Sequence, residues 1–240
     1  MKIELFCSVC DNNSPVEVEV NETNMYELTC SKGHKSKCFV QVQKFELLFE
    51  LGAYALLDGY TREAVSSFAV AIERLHEYCI NILMIKNGAS KELREQTFKM
   101  VSVNSERQLG AFYYLYVNEF QEPPEQISRT RVTFRNAVTH KGKIPTYDET
   151  IEYAEYVFVY MIRLLQKLRS MENISTHELQ HYNDYQLPPY DCKDTSPSNI
   201  PSGKVVISMI GTSSGNKDYS DKDFKLQLEQ LKQRERWLYN

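Results

Sequence analysis

Near the middle of the chain, Arg135-Asn136-Ala137-Val138-Thr139-His140 sets an arginine and a histidine five positions apart. Arginine grips a phosphate with two parallel N–H donors. Histidine exchanges a proton near neutral pH. The pair is enough, in principle, to cleave RNA without a metal. Its surroundings suit a polyanion: from Glu125 to Asp148 no acid intervenes, while Arg129, Arg131, Arg135, Lys141, Lys143 and His140 fall within the interval. The whole chain carries a net charge of −4, which is not the balance of a general polyanion binder. A local basic patch on an acidic protein still steers a nucleic acid, although a charge run is also what a solvated loop presents. At about 100° per residue, Arg135 and His140 leave a helix about 140° apart. One regular helix therefore does not aim both at one atom. The motif must straddle a helix irregularity, or two copies must meet across a two-fold axis. Arg131 and Arg135, four apart, do share a face.

A second constellation lies at the N-terminus. Cys7 and Cys10 form a C-x2-C pair, and Cys30 and His34 form a C-x3-H pair with nineteen residues between the two. Two such turns brought together by a hairpin offer three thiolates and one imidazole to a tetrahedral zinc. Gly33 allows the tight turn that aims the second pair. Cys38 is a spare that can take the place of His34. Four filled positions make a closed, structural site; the alternative is chance thiols on strand ends. The clustering speaks against a disulfide framework and for metal in a reducing compartment. No apolar run approaches the roughly 18 residues of a membrane span, and the start Met1-Lys2-Ile3-Glu4-Leu5 lacks a signal-peptide core. A cytoplasmic location and no membrane partner are expected.

Other residues invite chemistry less strongly. His177-Glu178-Leu179-Gln180-His181 matches H-E-x-x-H, which on a helix would present two histidines to zinc with Glu178 as base, a metalloprotease arrangement. Its neighbours, Asn173-Ile174-Ser175-Thr176 and Pro188-Pro189, do not make a buried apolar helix. His76 and Cys79 lie along an apolar stripe and read as bundle residues. Gly211-Thr212-Ser213-Ser214-Gly215 lacks the lysine of a phosphate loop. The tyrosines read mostly as packing, with exposed ones able to stack bases.

The elements that must position these groups follow from periodicity. Residues 1–44 alternate in short strands, as in Val16-Glu17-Val18-Glu19-Val20 and part of Phe39-Val40-Gln41-Val42, around a turn at Asp11–Pro15. This block is too small for a core and needs a staple. From Phe45 the period becomes helical. One stripe runs Phe45, Leu48, Phe49, Ala53, Leu56 and stops at Gly59. A second, capped by Thr61, carries Val65, Phe68, Ala69, Ile72, Cys79 and Leu83 to Asn87-Gly88. A third opens on a Ser105/Gln108 capping box and carries Leu109, Phe112, Tyr116 and Phe120 to Pro123-Pro124. A fourth is expected from near Pro124 with Ile127, Phe134 and Val138. Thr146 and Glu149 cap a last long helix with Ile151, Ala154, Phe158, Met161, Leu165 and Leu168. Residues 173–203 read as a loop or arm, Lys204–Ile210 as one strand, and Asp221–Leu238 as a charged helix. The expected class is mainly α: an up-and-down helical bundle over 45–172, a small β zinc ribbon over 1–44, and a C-terminal extension over 173–240.

A bundle carrying Arg-Asn-x3-His, then a basic Gly/Pro turn and one long final helix, resembles a HEPN domain over roughly residues 45–170. The resemblance implies a metal-independent endoribonuclease, dimeric so that two motifs share a cleft, of the kind found in toxin, abortive-infection and other antiviral systems. His140 would take the ribose 2′-hydroxyl proton or protonate the leaving 5′-oxygen. Arg135 would neutralise the phosphorane. Asn136 would orient imidazole or phosphate. The products would be a 2′,3′-cyclic phosphate and a 5′-hydroxyl. Charge alone suggests that Arg131, Lys141 and Lys143 track the RNA backbone. The expected partners are RNA, a second copy, and an antitoxin or phage-derived trigger. Two other readings compete. Arg135 pairs with a bundle carboxylate such as Glu73 and His140 caps a helix end, leaving a non-catalytic RNA- or protein-binding module; or the H-E-x-x-H motif marks a protease.

Overall fold

The change from a two-residue to a helical period near Phe45 is where the chain passes from sheet to helix. The computed structural model describes residues 2–7, 10, 15–21, 25–39, 42–185, 198–199 and 223–233. At the N-terminus β1 (Lys2–Phe6) pairs antiparallel with β2 (Pro15–Glu19), with Leu5 opposite Val16. β3 (Met25–Thr29) pairs antiparallel with β4 (Lys35–Phe39), with Tyr26 opposite Cys38. Alternation decides the faces of β3: Tyr26 and Leu28 are buried, Glu27 and Thr29 exposed. The two-residue β5 (Ser198–Asn199) runs parallel to β4 on its other edge. Leu5, Tyr26, Leu28 and Val42 form a small core, and Leu47 packs against it from the first helix. The strand expected across Phe39–Val42 begins and ends earlier, at Lys35–Phe39, and Val42 enters that core as a single side chain. The turn expected at Asp11–Pro15 lies mostly outside the described residues.

Eight helices follow among the described residues, so the chain is mainly helical: α1 (Lys44–Leu57), α2 (Thr61–Lys86), α3 (Lys91–Val101), α4 (Ser105–Phe120), α5 (Arg129–His140), α6 (Tyr147–Arg169), α7 (Ile174–Tyr185) and α8 (Phe224–Lys232). α2 is central and touches α1, α4, α5, α6 and α7. Its contact with α1 is close because residue 52 is glycine: a Cβ there would lie 2.8 Å from the Phe68 ring. The aromatic core joins four helices, with Phe49 against Phe68, Phe158 and Phe224 at centroid distances of 4.9, 5.7 and 6.2 Å. No helix among the described residues is long and apolar enough to cross a membrane.

Several boundaries differ from the sequence expectation, each for a local reason. Thr61 does not cap α2. It is the first helical residue, and its hydroxyl donates to the Pro145 carbonyl at 2.9 Å, tying the α1–α2 turn to the α5–α6 turn. The α4 cap is Asn104, accepting from Glu106 N at 2.7 Å, rather than a Ser105/Gln108 box. α5 starts at Arg129, not near Pro124, because Ser128 accepts from Arg131 N and ends the proline-led extended stretch. The Thr146/Glu149 box caps α6 as expected. α3 was not anticipated: its one buried residue is Arg94, so it has no apolar stripe to read. α7 stands where a loop was expected. It docks on α2 through aromatic and polar contacts rather than an apolar face. α8 is shorter than the expected Asp221–Leu238, whose flanks, like the expected strand Lys204–Ile210, lie outside the described residues. Phe224, Leu228 and Leu231 of α8 enter the bundle core.

Candidate metal centre and the Arg–His helix

The hairpin geometry of the N-terminal sheets brings its two turns to one point. Cys7, Cys10 and Cys30 are buried, His34 is half-buried, and their ligand atoms all lie within 4.8 Å of one another. Cys10 Sγ and Cys30 Sγ are 3.7 Å apart, and His34 Nδ1 lies 3.1 Å from Cys10 Sγ and 4.0 Å from Cys7 Sγ. A tetrahedral zinc with Zn–S near 2.3 Å separates two sulfurs by about 3.8 Å, and a sulfur and a nitrogen by about 3.6 Å. The donor set fits that polyhedron. Gly33 makes the turn: its φ is +80°, and its N–H donates to the Cys30 carbonyl at 2.8 Å. Burial pushes the Cys30 thiol up, yet backbone N–H groups of His34 and Lys32 and the thiols of Cys10 and Cys7 outweigh it and bring Cys30 down to about 6. Burial, with the neighbouring Cys30 and Cys7 sulfurs, pushes Cys10 the other way. Three thiols and an imidazole this close together have the donors to hold a cation. All four donors point inward, so a metal here is enclosed by protein ligands.

Arg135, Asn136 and His140 all lie on α5. The helix stays regular to its end: Lys141 N donates to the Ala137 carbonyl at 3.2 Å. No irregularity swings the two side chains together, and the separation of about 140° around the axis stands. His140 is exposed in the last turn, just before Gly142 at φ +72°. Arg135 is half-buried and faces α2, where Glu73 Oε1 lies 3.9 Å from its Nη1. That is an ion pair, too long for a hydrogen bond. Beneath α5, Tyr153 is buried against Phe134 at 5.4 Å, and burial keeps its hydroxyl protonated well above the ordinary range.

The basic stretch looks different once folded. Arg131 pairs with Glu152 at 3.6 Å and lies over the Tyr156 ring, at 5.6 Å from its centroid. Lys143 pairs with Glu149 at 2.6 Å and lies over Phe134, at 4.9 Å. Carboxylates from α2 and α6 therefore stand beside three of the cations, while Arg129, His140 and Lys141 have no such partner among the described residues. The gap between Glu125 and Asp148 was acid-free only along the chain. Glu149 and Glu152 were legible as neighbours, since the Thr146/Glu149 box starts α6 immediately after the turn.

The H-E-x-x-H residues do lie on a helix, α7, but two of them are used in packing. Glu178 accepts from the buried Tyr78 hydroxyl at 3.0 Å. His181 is buried between the Tyr78 and Tyr185 rings, at 5.1 and 5.0 Å. Arg94, wholly buried on α3, donates to Asp184 on α7 and lies 5.3 Å from the Tyr185 centroid. Desolvation, with Arg94 nearby, pushes the His181 imidazole down to about 4. His76 is likewise internal. It stacks on Phe112 and shares a 2.6 Å hydrogen bond with the Tyr160 hydroxyl, and burial lowers it to about 3. Cys79 is a core residue, its thiol raised by burial. The Cys7–Cys10–Cys30–His34 group is the one cluster among the described residues arranged to hold a metal. The sequence matches no known family model, and neither a curated protein nor a solved structure is significantly similar to it.

Proposed function

We propose that the chain is a HEPN-type, metal-independent endoribonuclease with a structural zinc ribbon, acting as a homodimer in the cytoplasm. The observation that carries the reading is the state of α5. It ends on an exposed His140 immediately before the Gly142–Pro145 turn and the long α6, and among the described residues the Arg135 side chain makes an ion pair with Glu73 but no hydrogen bond. Its donors are open to a phosphate. Because α5 is regular, the cleft is built from two copies. One His140 takes the 2′-hydroxyl proton as O2′ bonds to phosphorus. The P–O5′ bond breaks, and the second His140 protonates the departing oxygen. Arg135 compensates the extra negative charge on the phosphorane, with Asn136 orienting and Arg131, Lys141 and Lys143 along the RNA. Zinc, held by Cys7, Cys10, Cys30 and His34, fixes the ribbon and takes no part in the cut. The same resemblance puts the enzyme in a toxin or abortive-infection setting, answering to an antitoxin or phage trigger.

The carboxylates beside Arg131, Arg135 and Lys143 favour a second reading, a non-catalytic RNA- or protein-binding module. Incubating the purified protein with total RNA, with and without EDTA, beside His140→Ala and Arg135→Ala, separates the two. Cleavage that survives EDTA and is lost in both variants is expected. Equal cleavage by wild type and variants would refute the catalytic reading, and RNA binding without any cleavage would favour the second. A proteolytic activity dependent on Glu178 would point instead to H-E-x-x-H chemistry, against the burial of His181.

A further inference from the structure

The three carboxylates facing the basic stretch do different things. Glu149 completes the α6 capping box, accepting from Thr146 N at 2.9 Å as well as from Lys143. Its role is accounted for by the helix start. The Glu152 side chain is 68% exposed, so solvent screens its contact with Arg131. Glu73 has no such explanation. It sits in the middle of α2, between the buried Ile72 and Leu75, with its side chain 30% exposed. Its partner among the described residues is Arg135. At 3.9 Å it stands beside the guanidinium as a counter-charge without accepting a hydrogen bond from it. Arg135, at 29% exposure, is held against α2 yet keeps its hydrogen-bonding capacity.

We propose that Glu73 is the positioning residue for Arg135. It holds the guanidinium across the α2–α5 gap in the pose that receives a phosphate, and its charge competes with that phosphate until the substrate arrives. Tyr153, buried beneath α5 and kept protonated by that burial, adds no charge of its own to the pair. The inference rests on the endoribonuclease reading and deepens it.

The two effects of Glu73 have opposite signs, which a merely structural residue does not produce. Removing its charge relieves the competition, so Glu73→Gln lowers KM by about two- to five-fold, the range of a half-exposed ion pair. Removing the hold lets Arg135 wander, so kcat falls by about ten-fold or more. Both changes require Arg135. The experiment measures kcat and KM on a fluorophore–quencher single-stranded RNA for wild type and Glu73→Gln. Binding of the same RNA is then followed by anisotropy in a His140→Ala background for Glu73→Gln, Arg135→Ala and the double variant. A gain in affinity on Glu73→Gln that vanishes when Arg135 is absent is expected, with thermal stability unchanged. The same gain with and without Arg135 would reduce Glu73 to one more unit of surface charge and overturn the proposal. So would a parallel loss of affinity, kcat and thermal stability. If wild-type protein neither binds nor cleaves RNA, the endoribonuclease reading itself fails and takes this one with it. Arg135-dependent binding without cleavage removes the catalytic reading alone, and the affinity arm still decides the role of Glu73.

Discussion

His181 is a histidine that folding takes out of water uncharged, and that makes acid sensitivity calculable. Its ordinary value is 6.5, and in the folded chain it is near 4. Below 6.5 the unfolded chain binds a proton that the folded chain refuses, so stability is present above that value and falls as pH drops toward 4. At pH 5 the loss from this one group is about 2 kcal/mol, and it levels off at about 3 kcal/mol once both states are protonated. His181→Phe isolates the effect. Phenylalanine keeps an aromatic ring facing Tyr78 and Tyr185, and the His181 Nδ1 that is lost had no hydrogen-bond partner. The variant should match wild type at pH 7 in urea unfolding followed by far-UV circular dichroism. By pH 5 it should be the more stable by about 2 kcal/mol. Taking the difference between the two proteins cancels the carboxylates, His76 and the metal ligands, which titrate alike in both. If the two curves fall together between pH 7 and 5, His181 is not buried neutral between α7 and α2.

Two further outcomes bear on the ribbon and on α3. Cys10→Ser, or a strong chelator, should abolish zinc binding measured by dye release and lose the chemical-shift dispersion of the strands while the helical signal persists, since the ribbon core holds few side chains of its own. Asp184→Ala should cost about 3–5 kcal/mol in chemical denaturation by leaving the Arg94 guanidinium buried and unpaired. Arg94→Met, which removes the charge with its partner's need for it, should cost clearly less.

What could be read from residues alone was whatever repeats along the chain. The stripes of α1, α2, α4 and α6 are apolar at helical spacing because each faces one core. The paired C-x2-C and C-x3-H turns are local, and the structure gathers all four side chains. What could not be read was whatever depends on partners distant in sequence. α3 buries an arginine, and α7 buries a histidine and satisfies a tyrosine, so neither shows an apolar period; the H-E-x-x-H letters that resemble a metal site are partly the price of that interface. The charge balance around Arg135 was hidden for the same reason. Its compensating acids come from α2 and α6 and are invisible until the helices pack. The Glu73–Arg135 pair was legible as one of two alternatives, and its geometry is what only the folded chain supplies.

The placement of β5 has a consequence for synthesis. Cys38 of β4 is in register with Ser198, 160 positions later. The ribbon emerges first, but the outer edge of β4 waits for a segment not yet translated. At about 5–20 residues per second that interval is roughly 8–30 s. An unpaired edge is the part of a sheet most open to another chain. Until Ser198 and Asn199 are made, Cys38 and Phe39 at the end of β4 lack the partners they have in the finished chain.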